Sequence, residues 1–153
     1  MRIRRLFARR RLPAVAATMT ALVVVGTGCS AAVQPPPPRP PTVKVTMTDY
    51  AFNYRATIPR GRVVFDVTNR GHVDHKLTLV YLPDDVPPIQ EQLKGTDRRL
   101  VEALAGTVDR APGSRDVFSA ELPPGRWAFV CYSVNADGRS HAELGMATEF
   151  RVA

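Results

Sequence analysis

Trp127-Ala128-Phe129-Val130-Cys131 reads as a strand with Trp127, Phe129 and Cys131 on one face, because successive side chains of a strand alternate sides. After nine intervening residues that include an Asp137-Gly138 turn signal comes His141; Leu144-Gly145-Met146 follows, and then a second alternating run, Thr148–Val152. Met146 shares the parity of Thr148, Phe150 and Val152. A thiol, an imidazole and a thioether therefore fall between two consecutive late strands, with the sulfur of Cys131 at the end of an apolar face.

Working outward, the same period of two recurs along the chain. Thr42–Phe52 sets Val43, Val45 and Met47 against Lys44, Thr46 and Thr48. Arg62–Asn69 carries Val63, Phe65 and Val67 on one face, and His75–Leu82 aligns His75 with Leu77, Leu79 and Tyr81. Val117–Leu122 completes the set. Turn signals at Pro59-Arg60-Gly61, Arg70-Gly71, Pro112-Gly113 and Pro123-Pro124-Gly125 separate these runs. Six to eight short strands at this spacing predict an all-β sandwich. One segment differs: Asp85–Ala105 places Ile89, Leu93, Leu100 and Leu104 at helical intervals, with a break at Gly95-Thr96-Asp97, and predicts a short helical insertion near 86–105.

The start of the chain has another character. Arg2, Arg4, Arg5, Arg9, Arg10 and Arg11 precede the apolar run Ala14–Val25, which is too short to span a bilayer and leads to Gly26-Thr27-Gly28-Cys29. Residues 1–28 read as an export signal resembling the lipoprotein type, with Cys29 as the lipidated residue. Arg4-Arg5 and Arg9-Arg10-Arg11 also resemble part of a twin-arginine signal. The proline tract through Pro41 favours polyproline II, so 29–41 reads as a stalk and 42–153 as the folded domain. The six arginines account for most of the net charge of +7: without them 15 basic residues face 14 acidic ones. This excludes a nucleic-acid surface. Of the two cysteines, Cys29 lies in the leader region, which leaves Cys131 without a disulfide partner in an exported protein.

An unpaired thiol in an oxidising compartment survives when it is buried or held by a metal. Soft sulfur beside imidazole selects copper over hard ions. His75, on the inward face of its strand, completes a set of His75, Cys131, His141 and Met146. Each residue alone has a simpler reading: core cysteine, core methionine, loop histidine. His72 reads as a surface residue supporting that set. A Cys131–His141 nucleophilic pair is the enzymatic alternative, but no orienting carboxylate or oxyanion-hole motif accompanies it. Asp84, Asp85 and Asp97 read as solvated, and no phosphate-binding glycine loop is present.

With these residues in hand, 42–153 resembles the cupredoxins, the family of plastocyanin and azurin. The first histidine ligand of that family follows a turn like Asn69-Arg70-Gly71-His72-Val73-Asp74-His75, and its Cys, His and Met ligands lie between the last two strands, matching Cys131, His141 and Met146. The resemblance implies a Greek-key sandwich binding one copper and acting as a one-electron carrier, not an enzyme, with electron transfer through an exposed edge of His141 and docking on Val134, Ala142 and Leu144. Together with a lipid anchor on Cys29, this reading expects a monomer at the outer face of the cytoplasmic membrane, meeting redox proteins of the cell envelope. Copper storage or delivery, or a metal-free structural lipoprotein, are the alternatives. Two departures stand out. The Cys131–His141 interval is longer than in plastocyanin or azurin, a lengthening that costs only about 0.7 kcal/mol in loop closure. Lys76 stands where many relatives carry an asparagine that braces the cysteine loop.

Overall fold

The computed structural model describes residues 36–55, 57–95 and 102–153. The expected leader 1–28, Cys29, Asp97 and Leu100 lie outside these residues. Pro36–Pro41 are exposed and carry no regular structure. Strands β1 (Thr42–Thr48), β2 (Ala51–Tyr54), β3 (Gly61–Asn69) and β6 (Arg115–Leu122) form one sheet in the order β2-β1-β3-β6. The second sheet, β5-β4-β7-β8, comprises β4 (Thr78–Leu82), β5 (Glu102–Gly106), β7 (Gly125–Val130) and β8 (Ala147–Val152). All neighbours are antiparallel except β1 and β3. Chain-adjacent strands β3 and β4, and β6 and β7, lie in opposite sheets, which makes the molecule a two-sheet sandwich.

The alternation is realised as read. Val43, Val45 and Met47 of β1, Val63, Phe65 and Val67 of β3, and Trp127 and Phe129 of β7 meet in one core with Leu77, Leu79, Cys131 and Met146. The second sheet is also covered on its outer face. Helix α1 (Ile89–Lys94) and the loop before it lay Val86, Ile89 and Leu93 over Val80, Leu82, Ala128 and Val130. Strands β4 and β7 are thus buried on both sides, the pattern of a near-continuous apolar run. Gln90 Nε2 donates to the Ala147 carbonyl at 2.6 Å, and Arg126 donates to the Val86 carbonyl at 2.9 Å and to Glu149 at 3.2 Å, tying the insertion to β7 and β8.

Two elements differ from the sequence reading. The helical insertion is a single helix of six residues, and its expected continuation is an edge strand, β5. Leu79 pairs with Ala105 and Val80 with Ala103, so Leu104 is the extra residue of a bulge and is 47% exposed rather than packed as a helical interval requires. Backbone pairing with β4 overrides the helix preference of Ala and Leu. The run Thr42–Phe52 is a hairpin of two strands joined by Asp49-Tyr50, since Thr48 pairs with Ala51 and Met47 with Phe52. Tyr50 sits at φ 62°, a conformation unfavourable for a bulky side chain.

Candidate metal centre

Three segments meet at one pole of the sandwich. The first is the Asn69–His75 turn. Asn69 is fully buried and donates through Nδ2 to the carbonyls of Val73 (2.9 Å) and Arg110 (2.7 Å), while its Oδ1 accepts from the Gly71 amide at 2.9 Å. His75 exchanges two backbone bonds with Arg110, at 3.1 and 2.8 Å. The imidazole is thereby fixed pointing inward.

The second and third are the end of β7 and the long loop after it. The Cys131 amide donates to the Met146 carbonyl (3.0 Å), the Ala142 amide to the Cys131 carbonyl (2.9 Å) and the Met146 amide to the His141 carbonyl (2.9 Å). The nine intervening residues fold on themselves: Val134 bridges Ser140, the Asn135 amide donates to the Arg139 carbonyl at 2.9 Å, and Gly138, at φ 83°, closes the turn. The Asp137-Gly138 signal is thus realised as a small hairpin.

His75 Nδ1 lies 2.9 Å from His141 Nδ1 and 4.0 Å from Cys131 Sγ, and His141 Nδ1 lies 3.5 Å from the sulfur. All three residues are buried, and their donor atoms form one cluster suited to a metal ion. The protonation pattern follows from the outer partners. His75 Nε2 faces Asp49 Oδ1 at 3.2 Å and His141 Nε2 faces Asn135 Oδ1 at 2.8 Å; both oxygens only accept, so both Nε2 atoms carry the hydrogen. Both Nδ1 atoms and the sulfur thus face one another, the donor atoms a bound metal ion would share. The donor set, two imidazoles and one thiol, fits copper or zinc by chemistry. Met146 is fully buried in the same core as Cys131 and is joined by its backbone to both Cys131 and His141.

The sulfur has two further contacts. The Lys76 amide points at it from 3.4 Å, and the thiol lies 3.5 Å from Ser133 Oγ, whose hydroxyl donates to Asp109 Oδ1. Lys76 Nζ lies 3.7 Å from Asp109 Oδ2. The Ser133–Asp109–Lys76 series thus links the cysteine loop to the residue that follows His75.

The expected exposed edge of His141 is corrected: the residue is 2% exposed, with Nε2 covered by Asn135 and the Tyr50 ring set edge-on at 5.3 Å. Asn135 Nδ2 in turn donates to the Tyr50 hydroxyl at 3.1 Å. Of the expected docking residues, Val134 is 62% exposed, but Ala142 is buried and Leu144 only partly exposed. The hydrophobic rim is instead Val73 and Val134, beside a groove that also takes in Tyr132, Asn135 and His141. His72 is exposed and contacts Asp49, not the cluster. Cys131 is fully buried, which leaves an acyl substrate no open path to its sulfur and disfavours the Cys131–His141 pair as a nucleophilic centre. Asp49, Tyr50, Asn135, Ser133 and Asp109 were not singled out by the sequence. For Asp49 and Tyr50 one signal exists: inward parity moves from odd positions, ending at Met47, to the even Phe52, which marks a turn between them.

Burial, and then the charge of His75, hold the His141 imidazole below its usual pKa. The sign follows: as pH falls below about 6.5 the unfolded chain takes up this proton before the folded one, so stability is full above that value and declines below it. The urea midpoint of metal-free protein is expected to be lower at about pH 5.5 than at about pH 8, above the carboxylate range, and His141→Gln to flatten the difference. An unchanged slope in that variant would remove His141 as the cause.

No protein-family model matches the sequence, and no curated protein matches it. Solved structures do. The dithionite-reduced auracyanin of the photosynthetic bacterium Roseiflexus castenholzii is 22% identical, with a TM-score of 0.53 over 73% of this chain and 96% of that one. Auracyanin B is 24% identical, with a TM-score of 0.50 over 76% of this chain and 92% of that one. Together with the two-sheet topology and the pole at which His75, Cys131 and His141 meet, this places the chain in the cupredoxin fold.

Proposed function

We propose that the protein is an exported blue copper protein that carries single electrons, with one copper held by His75, Cys131, His141 and the more weakly bound Met146. The observation that carries this reading is the convergence of His75 Nδ1, His141 Nδ1 and the Cys131 sulfur within 4.0 Å of one another, sealed from water. Bound copper would supply a one-electron couple between its two oxidation states. The chain's own part is to hold still. His75 is pinned by Arg110 and Asn69, His141 by Asn135, and Cys131 by the backbone bonds to Met146 and Ala142. Such a frame leaves little to rearrange on electron transfer. The Ser133 hydroxyl, between the thiol and the half-exposed Asp109, offers the thiol proton a way out when the thiolate forms.

The Arg-rich leader and the Gly26-Thr27-Gly28-Cys29 sequence support export and a lipid anchor on Cys29, which would set the domain at the outer face of the membrane among redox proteins of the envelope. The groove rimmed by Val73 and Val134 is the face such a protein would meet.

The test is the visible spectrum of the metal-free protein on titration with Cu(II). An intense thiolate-to-copper band saturating at one equivalent, and bleached reversibly by a reductant, is the expected result. Colourless binding, or a band that reduction removes for good, would rule out the electron carrier.

A further inference from the structure

The hairpin turn Asp49-Tyr50 lies outside every ligand-bearing segment, yet both of its side chains face the cluster. Asp49 Oδ1 accepts from His75 Nε2 at 3.2 Å and from the His72 amide at 2.8 Å, while Oδ2 accepts from His72 Nδ1 at 2.6 Å. The Tyr50 ring stands edge-on to His141 at 5.3 Å and to His75 at 6.4 Å. Its left-handed backbone is the one such conformation at a non-glycine among the described residues. A strained turn that delivers two side chains to one site points to a role for them.

The surroundings are shaped around the Asp49–His75 contact. A β-carbon at Gly71 would stand 2.4 Å from Asp49 Oδ1 and 2.7 Å from His75 Nε2, so the absence of a side chain there is what lets the two meet. Gly71 has no left-handed φ; it is needed for space. His72 donates to both oxygens of Asp49, from its amide and from its ring, and so holds the carboxylate against His75 from the outside. The two imidazoles are therefore braced unequally. His75 donates to a carboxylate and His141 to the neutral amide of Asn135.

Resting on the copper reading above, we propose that Asp49 is a positioning residue for the redox centre: by accepting the Nε2 hydrogen of His75 it fixes that ring with Nδ1 bare and makes His75 the stronger donor of the two histidines. A carboxylate on the far nitrogen raises the basicity of a metal-bound imidazole, and losing such a partner typically costs 10–100-fold in metal affinity. Added electron density favours the more highly charged oxidation state, so Asp49 holds the reduction potential down. His72 acts on the outside, keeping the carboxylate in place.

Asp49→Asn keeps the shape and removes the charge. With copper bound, a selective tenfold loss of Cu(II) over Cu(I) affinity is expected, which raises the potential by about 59 mV. Gly71→Ala keeps the charge but drives the Asp49 carboxylate and His75 Nε2 apart, and is expected to raise the potential as well; His72→Ala, which removes the ring bond to Oδ2 but keeps the amide bond to Oδ1, is expected to raise it less. The second readout needs no metal. Nitrogen-15 NMR of the metal-free protein is expected to show His75 with the hydrogen on Nε2, and Asp49→Asn to mix the two tautomers. A folded Asp49→Asn with unchanged potential and unchanged tautomer would overturn the proposal and leave Asp49 a turn residue only. If the parent protein gives no thiolate-to-copper band, the copper reading fails, and the tautomer measurement still decides whether Asp49 fixes His75.

Discussion

Cys131→Ser is expected to abolish the visible band on Cu(II) addition and to weaken copper binding by at least about 100-fold, while leaving the fold nearly as stable as before. The argument separates the two roles of the sulfur. As a packing group Cys131 is a small, fully buried atom at the end of β7, and serine occupies almost the same volume. Its hydroxyl can still donate to Ser133 Oγ, so no buried polar group is left unpaired and the cost to the fold is on the order of 1 kcal/mol. As a ligand it cannot be replaced. A thiol loses its proton to a metal readily, whereas the serine hydroxyl is a hard donor that stays protonated, and the charge-transfer absorption needs a thiolate. Met146→Leu is the control, a nearly volume-conserving change at a buried position bound by backbone to the same loop. It is expected to keep the band and shift the potential, as a weak axial ligand would. Retention of the band in Cys131→Ser would remove the sulfur from the site and the copper assignment with it.

The clustered residues His75, Cys131 and His141 were legible because their chemistry is rare and their parity simple. His75 and Cys131 each share a face with apolar residues at two-residue spacing, and both are fully buried in the structure. The strands were legible for the same reason. What escaped was whatever depended on a partner distant in sequence. Leu104 fits a helical interval with Leu100, and only the edge of β4 decides that its segment pairs as a strand. Asp49 and His75 are 26 positions apart, and no local pattern announces that a carboxylate will meet an imidazole. The long loop misled in another way. Its extra residues cost little in entropy, but their effect lies in where their folding puts Asn135, over the histidine edge that shorter relatives suggested would be open. The sequence pattern shows well that His75, Cys131 and His141 converge and shows their surroundings poorly, because those surroundings are built from residues outside the motif.

Phe129→Ala is expected to be the most damaging single truncation in the domain, costing about 3–5 kcal/mol and lowering the melting temperature by on the order of 15 °C. The ring is fully buried and joins the two sheets. It meets Phe52 at 5.8 Å, Tyr54 at 5.2 Å and Phe65 at 5.7 Å from the first sheet, and Phe150 at 4.8 Å within its own. Removing it opens a cavity lined by four rings from three strands, none of which can collapse into it without breaking sheet pairing. Phe118→Ala gives the contrast: that ring stacks on Phe65 at 5.1 Å but lies on the edge strand β6 and is only partly buried, so its loss should cost less than half as much. The consequence reaches the metal pole because Cys131 lies two residues along the same strand. The ligands themselves are held by the loop bonds among Cys131, His141, Ala142 and Met146, which do not involve the ring. Phe129→Ala should therefore still form the coloured site at low temperature, and copper, binding only the folded state, should restore about 2.7 kcal/mol at a free concentration of about 100 times its Kd. Thermal melts of both variants, with and without copper, measure this directly. Equal losses for the two phenylalanines would show that the sandwich is not centred on Phe129, and a variant that melts late but gives no band would show that the pole depends on the core more than on its own loop.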